Sequence, residues 1–146
     1  MKLSICARSC AIAIIAASCA TGQAQNTALL LYGGQGHDTF LGCLNCGQYA
    51  VSSVCNAYGN FGSRYQANSI WNAYGTYGSK YNLQSPWNEY STSAPAIVDN
   101  AGNFYGYLSA NKFIDKRTTI KALVALADMA ADANDLEKLS DAFCGR

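Results

Sequence analysis

The sequence lacks the motifs that mark the commonest catalytic sites. It has no G-x-x-x-x-G-K-S/T phosphate loop, no H-E-x-x-H zinc motif and no G-x-S-x-G nucleophile turn. Its one histidine, His37, precedes Asp38, and adjacent side chains seldom face each other for proton transfer. The sequence therefore predicts no catalytic residue and no cofactor, and it favours a protein that is not an enzyme.

An excess of charge of one sign is also missing. The chain has 10 Lys and Arg residues against 9 Asp and Glu residues. Loss of a predicted leader that contains Lys2 and Arg8 leaves 8 basic against 9 acidic residues, which is a formal charge of −1. Such a surface does not attract polyanions over long range, so no nucleic-acid partner is expected.

Long apolar runs are absent beyond the first residues of the chain. The run Ala11–Ala17 is too short to cross a bilayer, and basic residues precede it, as in a signal peptide. Small residues place the predicted cleavage after Ala24, with a competing site after Ala20. An alternative is a lipoprotein acylated at Cys19.

We therefore expect a signal peptide over residues 1–24 and a single secreted domain over residues 25–146, located in the periplasm or outside the cell. No transmembrane segment is expected in the mature chain.

Four cysteines are left after the predicted leader: Cys43, Cys46, Cys55 and Cys144. An even number in an exported protein indicates disulfides, and four cysteines allow three pairings. We favour a Cys43–Cys46 bond that locks a turn and a Cys55–Cys144 bond that closes a long loop. The sequence alone does not fix this connectivity.

The cysteines also support an alternative function. Together with His37, the residues Cys43, Cys46 and Cys55 could form a zinc site, and Cys43 and Cys46 could form a redox pair. Structural zinc sites usually show two close ligand pairs, whereas only one is present here. No helical pattern follows Cys46, which disfavours a thioredoxin-like site. The first hypothesis is an exported, disulfide-stabilised module that is not an enzyme, and the second is a thiol- or zinc-dependent enzyme centred on His37, Cys43 and Cys46.

A repeat of 16 residues occupies the middle of the chain, over about residues 53–94. Its consensus reads S-x-W/C-N-x-Y-G-x-Y/F-G-S-K/R-Y. Frequent glycine, serine and asparagine predict short helical turns joined by tight loops. A short repeat cannot bury its apolar face alone, so we expect neighbouring copies to cover one another, with Tyr and Trp rings as packing units.

A second echo brackets the repeat. The segment Phe40–Tyr49 matches the segment Phe104–Phe113 at an offset of 64 residues, which is four periods. Each segment follows a turn-rich stretch with apolar residues on its far side, and this pattern predicts two β-hairpins.

Past Arg117 the pattern becomes helical, over about residues 118–144. Thr118 or Thr119 could cap a first amphipathic helix, and Asp135 could start a second that ends at Gly145. The expected fold is therefore α+β: two small β-hairpins flanking a turn-rich aromatic repeat, with a C-terminal helical segment.

Cations precede aromatic residues at one position of the repeat. Arg64-Tyr65, Lys80-Tyr81 and Lys112-Phe113 share a single register. If successive copies stack, cations and rings could bind an envelope or extracellular glycan, or a polyanion. The candidate ligand-binding residues are Arg64, Tyr65, Trp71, Lys80, Tyr81, Trp87 and Lys112. The simpler interpretation is that each cation is a solvated neighbour of a buried ring.

Four stretches of the sequence carry a resemblance: "YGGQGHDTFLGCLNC", "SIWNAYGTYGSKY", "SPWNEY" and "APAIVDNAGNFYGYLSANKF". Together they resemble an uncharacterised family of small secreted bacterial proteins with 16-residue repeats and a G-C-L-x-C segment. The resemblance covers about Leu31 to Arg117, implies an exported domain and transfers no catalytic residue. This chain departs from the pattern at Cys55, where later copies have Trp71 and Trp87.

Overall fold

The computed structural model describes residues 27–146. The predicted signal peptide, both predicted cleavage sites and the alternative lipid site at Cys19 lie outside the described residues. Within the described range, no helix is both long enough and apolar enough to cross a membrane.

The strands form one antiparallel sheet. Strands β1 (Leu30–Gly33) and β2 (Thr39–Cys43) make the first hairpin, and β3 (Ala96–Val98) and β4 (Phe104–Tyr107) make the second. Both predicted hairpins are confirmed. The sequence did not predict that β1 would also pair with β3, which gives the four-stranded order β2-β1-β3-β4.

The 64-residue echo corresponds to a near-twofold relationship between the hairpins. Gly42 and Gly106 are equivalent, and both have a positive φ, of 115° and 93°. At Gly42 an added Cβ would lie 2.8 Å from the Cβ of Phe61, and at Gly106 it would lie 2.6 Å from the Cα of Thr118. Only glycine fits such a position, because the backbone is left-handed and the chain passes closely.

The repeat region between the hairpins is a succession of turns. Five backbone hydrogen bonds close each of the two complete copies, and each residue that donates one of them accepts the next; the third copy, from Ser85, has the first two of these bonds. In the first copy these residues are Ser53, Asn56, Gly59, Ser63 and Gln66. The turns are too short to make regular helices, so the predicted helical turns are better described as a spiral of tight turns.

Glycine allows neighbouring turns of the spiral to pack closely against each other. An added Cβ at Gly62 would lie 2.2 Å from the carbonyl oxygen of Asn56, and at Gly78 it would lie 2.0 Å from that of Asn72. The backbone of each copy therefore occupies the space that a side chain would need.

Two helices complete the chain: α1 (Lys121–Asp132) and α2 (Leu136–Cys144). The predicted threonine cap of α1 is wrong, since Ile120 occupies the N-cap position and no side chain caps it. The predicted limits of α2 are confirmed. Asp135 accepts hydrogen bonds from the backbone N–H groups of Glu137 and Lys138, and Gly145 ends the helix with a φ of 70°.

One hydrophobic core joins the sheet, the repeats and the helices. It includes Leu31 and Ile97 from the sheet, Trp71 and Trp87 from the repeats, and Leu126 from α1. The aligned indole rings of the two tryptophans lie 5.5 Å apart, with an angle of 22° between their planes. The expected α+β fold is confirmed, with the repeats packed into the same core as the regular elements.

Both favoured disulfides are present. Cys43 bonds to Cys46, and Cys55 bonds to Cys144 across 89 residues of chain. The second bond joins the first repeat to α2. Disulfides persist in oxidising compartments, so the protein belongs outside the reducing cytoplasm.

Candidate binding surface of the aromatic repeats

Serine and asparagine side chains position the aromatic residues of the repeat. At nine positions along the spiral, a serine or asparagine oxygen accepts a hydrogen bond from the backbone N–H two residues later. Seven of these nine N–H groups belong to Trp or Tyr, and the other two belong to Cys55 and Gln84. These side-chain turns fix the backbone on which each ring is mounted.

The rings that follow the repeat serines Ser69 and Ser85 point inward. Trp71 and Trp87 are 2% and 0% exposed. Their indole N–H groups donate to carbonyl oxygens one copy earlier, those of Val54 and Ile70. Trp71 and Trp87 were predicted as ligand-binding residues, but the structure places both in the core, where their polar atoms already have partners.

Seven other rings on the repeat register point outward in two sets, whereas Phe61 is half-buried and Tyr77 is buried. We define the first ring set as Tyr49, Tyr65, Tyr81 and Phe113, and the second ring set as Tyr58, Tyr74 and Tyr90. All seven side chains are between 76% and 100% exposed. The expectation that tyrosines pack as core units is therefore wrong for these residues, although Tyr77 is buried.

This degree of exposure is unusual for aromatic residues. Single exposed apolar side chains are ordinary, whereas seven exposed rings on one repeat register are not. The second ring set was absent from the sequence-predicted binding residues. Its signal in the sequence was N-x-Y, which repeats with the same period as S-K/R-Y.

The predicted row of cations is not a row of free charges. Arg64 forms an ion pair with Glu137 of α2, and its guanidinium lies 5.0 Å from the centroid of the Tyr65 ring. Lys80 donates hydrogen bonds to the carbonyl oxygens of Ala131 (2.8 Å) and Ala133 (2.9 Å) at the end of α1. Lys112 is exposed. Two of the three cations thus hold the helices against the repeats.

A first cleft of about 310 Å³ lies between the repeats and α2. Tyr58 and Tyr65 flank it, and Trp71 contributes to its lining from below. The α2 side contributes Glu137 and Asp141. The cleft therefore combines exposed ring faces with carboxylates and the paired Arg64.

A second cleft of about 570 Å³ lies one copy further along. Tyr81 and Tyr90 flank it, and Trp87 contributes to its lining. Asn134, from the loop between α1 and α2, contributes polar atoms. In this cleft Lys80, Tyr81 and Trp87 occupy the repeat positions that Arg64, Tyr65 and Trp71 occupy in the first.

The zinc site of the second hypothesis is not formed over the described residues, whereas the Cys43–Cys46 bond is also the form that an oxidised redox pair takes. Cys43, Cys46 and Cys55 are in disulfides, so their sulfur atoms are not available as thiolate ligands. His37 is half-buried, with its Nε2 2.9 Å from the carbonyl oxygen of Ala94. Over residues 27–146, no three His, Cys, Asp or Glu side chains are placed to hold a metal ion.

One carboxylate in the second hairpin has a perturbed pKa. Asp99 is 6% exposed. The side-chain hydrogen bond from Asn103 is the main cause that lowers the pKa of Asp99, and the phenol of Tyr105 also donates to its Oδ2. The same contact raises the pKa of Tyr105. This cluster closes the turn between β3 and β4, and it is structural.

Comparison with known proteins adds no function to this geometry. No protein-family model matches the chain, and no curated protein or solved structure is significantly similar to it.

Proposed function

We propose that this protein is an exported binding module, and that its two ring sets bind a neutral glycan of the cell envelope or the extracellular space. The proposal includes membership of the uncharacterised family of small secreted bacterial proteins that the sequence resembles. It also includes a location in the periplasm or outside the cell. The disulfides support export, since such bonds persist in oxidising compartments.

The exposure of the seven rings carries the proposal. Each ring offers a flat apolar face on which the apolar face of a sugar can stack, and serine and asparagine groups lie in the turns beside it. The turns fix the backbone at each ring, so little backbone freedom is lost on binding. A polymeric glycan repeats its sugar unit, so successive units of the ligand can contact successive rings of the protein.

Charge favours a neutral glycan over a polyanion. Arg64 and Lys80 are engaged with Glu137 and with the end of α1, so little free positive charge is left beside the rings. Residues 27–146 contain 8 basic and 9 acidic residues, a formal charge of −1. Long-range attraction of a polyanion needs the opposite sign.

The test is a binding assay of the purified protein on four insoluble polysaccharides (cellulose, chitin, β-1,3-glucan and amylose), with heparin as the anionic probe. We expect binding to at least one neutral polymer that changes little between 50 mM and 500 mM NaCl, because uncharged contacts are not screened. Binding to none of the four, or salt-sensitive binding to heparin alone, would overturn the proposal.

Ring variants complete the test. Replacement of the second ring set by alanine (Tyr58→Ala, Tyr74→Ala and Tyr90→Ala together) should weaken binding about fivefold to tenfold for each ring that contacts the glycan. Replacement of the same three residues by phenylalanine keeps the rings and should preserve most of the affinity. Val51→Ala is a matched control, since Val51 is 81% exposed but has no ring. Unchanged affinity of the alanine triple variant would also contradict the proposal.

A further inference from the structure

Three positions of the repeat line both clefts. Arg64, Tyr65 and Trp71 line the first, and each has its counterpart 16 residues later in the lining of the second. A second exposed tyrosine flanks each cleft from a different position: Tyr58 precedes Tyr65 at the first, whereas Tyr90 follows Tyr81 at the second. The shared positions follow from the spiral, because the two complete copies repeat the same turn hydrogen bonds.

The clefts are close neighbours. The rings of Trp71 and Trp87, which contribute to the linings from below, stack with centroids 5.5 Å apart. Segments of the C-terminal helical region wall both clefts, with Glu137 at the first and Asn134 at the second. The two clefts thus lie on successive copies of the repeat, beside the same C-terminal helical region.

The walls are held in place by contacts that do not need a ligand. The Cys55–Cys144 disulfide ties α2 to the repeat at the first cleft, and the exposed Arg64–Glu137 ion pair adds a weaker link between them. At the second cleft, Lys80 donates to the carbonyl oxygens of Ala131 and Ala133. Both clefts are thus pre-formed, which is typical of ligand sites, and their volumes of about 310 and 570 Å³ lie in the usual range for such sites of about 300 to 1,000 Å³.

The polar groups that line both clefts can form hydrogen bonds with the hydroxyl groups of a sugar. At the first cleft the carboxylates of Glu137 and Asp141 are paired with Arg64 and Arg146, and their remaining lone pairs can accept hydrogen bonds from hydroxyl groups; Glu89 offers a carboxylate at the second cleft. Lys80 uses two of its three N–H bonds on the end of α1 and keeps a third for another acceptor. A ring beside several hydrogen-bonding groups is the arrangement that fits a pyranose, whose faces are apolar and whose edges are polar.

We infer that the two clefts are related subsites for one linear neutral glycan, each taking a short stretch of the chain on Tyr65 or Tyr81. This inference rests on the proposed function and adds to it the number of subsites, their location and the form of the ligand. A chain long enough to reach both subsites binds the second in an intramolecular step, so its affinity exceeds that of a short chain.

The experiment is titration calorimetry with oligosaccharides of two and of six sugar units, prepared from whichever of the four neutral polymers binds. For the wild-type protein we expect two disaccharides bound per protein molecule, and one hexasaccharide bound at least about tenfold more tightly. In Tyr65→Ala or Tyr81→Ala, one disaccharide should bind, and the advantage of the hexasaccharide should disappear. The double variant should bind neither.

Both tyrosines are strongly exposed (76% and 94%), so these variants should fold as the wild type does, and a far-UV circular dichroism spectrum checks this. Phenylalanine at the same positions keeps the ring and should retain both subsites. One disaccharide per wild-type molecule, or a hexasaccharide advantage that survives Tyr65→Ala, would overturn the two-subsite inference while leaving glycan binding intact. Failure of every neutral polymer to bind would instead overturn the proposed function itself.

Discussion

The indole rings of Trp71 and Trp87 stack on each other, and each donates its N–H to the carbonyl oxygen 17 residues earlier in the chain. One residue type therefore provides both the apolar filling and the hydrogen bond that ties one copy of the repeat to the previous one. In the first copy, Cys55 occupies the equivalent position and is tied to α2 by its disulfide instead. In the first copy, the Cys55–Cys144 disulfide thus stands at the position where the later copies have a tryptophan.

Trp87 is fully buried, and its replacement by alanine leaves both a cavity and an unpaired carbonyl oxygen at Ile70. We expect Trp87→Ala to lower the free energy of unfolding by about 3–5 kcal/mol. Tyr74→Ala, at a side chain that is 100% exposed, should change it by less than about 0.5 kcal/mol. Urea unfolding followed by fluorescence measures both; similar losses in the two variants would contradict the assignment of Trp87 to the core and Tyr74 to the surface.

Glycine is required where the spiral closes. Gly78→Ala places a Cβ 2.0 Å from the carbonyl oxygen of Asn72, so the backbone must shift. We expect a loss of about 1–3 kcal/mol or more in the free energy of unfolding. Gly47→Ala is the control, because nothing lies within 4 Å of its added Cβ, and it should be neutral within about 0.5 kcal/mol. If Gly78→Ala proved as harmless as the control, the close approach between turns would be disproved.

The two disulfides should contribute unequally. The Cys55–Cys144 bond closes a far longer loop than the Cys43–Cys46 bond, with sequence separations of 89 and 3 residues. The chain-entropy estimate is about 4–5 kcal/mol for the long loop and about 2 kcal/mol for the short one. Paired alanine substitutions at each bond, compared by urea unfolding, check this order.

The unreduced wild-type protein should have no free thiol among these four cysteines by alkylation and mass spectrometry, and two or more alkylated cysteines would contradict the pairing.

Several elements of this fold could be predicted because their signals are local. The hairpins followed from turn-rich stretches between apolar ones, whereas the disulfide pairing was favoured among three possibilities and not fixed by the sequence. The limits of α2 followed from Asp135 and Gly145, a cap and a stop that act on neighbouring backbone groups.

The direction of the rings could not be predicted in the same way. Trp71 follows Ser69 and Tyr74 follows Asn72 through the same type of side-chain turn, yet one ring is buried and the other is fully exposed. The difference depends on how the turns accumulate around the spiral, which is a tertiary property. The role of Lys80 was missed for a similar reason, since it depends on where the end of α1 docks.

The Asp99 cluster predicts a specific pH dependence. The pKa of Asp99 is lowered below its ordinary value of 3.8, chiefly by the hydrogen bond from Asn103. Its stabilising effect is therefore fully present above about pH 4 and is lost as the pH falls through the lowered pKa. We expect the urea concentration at the unfolding midpoint of the wild type to decrease as the pH is lowered below 4. In Asp99→Asn this decrease should be smaller. Asp38→Asn, at an exposed carboxylate outside the cluster, is the control. An equally steep acid dependence in Asp99→Asn would contradict the assignment.

Lys80 tests whether the repeat cations act in the fold or in binding. Its ammonium group donates to two carbonyl oxygens at the end of α1, where the helix dipole also favours positive charge. Lys80→Met keeps much of the aliphatic length and removes the charge, so we expect a loss of about 1–2 kcal/mol in the free energy of unfolding. Lys112→Met, at an exposed residue of the same register, should be close to neutral. Equal unfolding midpoints for the two variants would show that Lys80 does not hold α1. If the difference is found, weaker glycan binding by a Lys80 variant can arise from displacement of the cleft wall, and the tyrosine variants are then the direct measure of sugar contact.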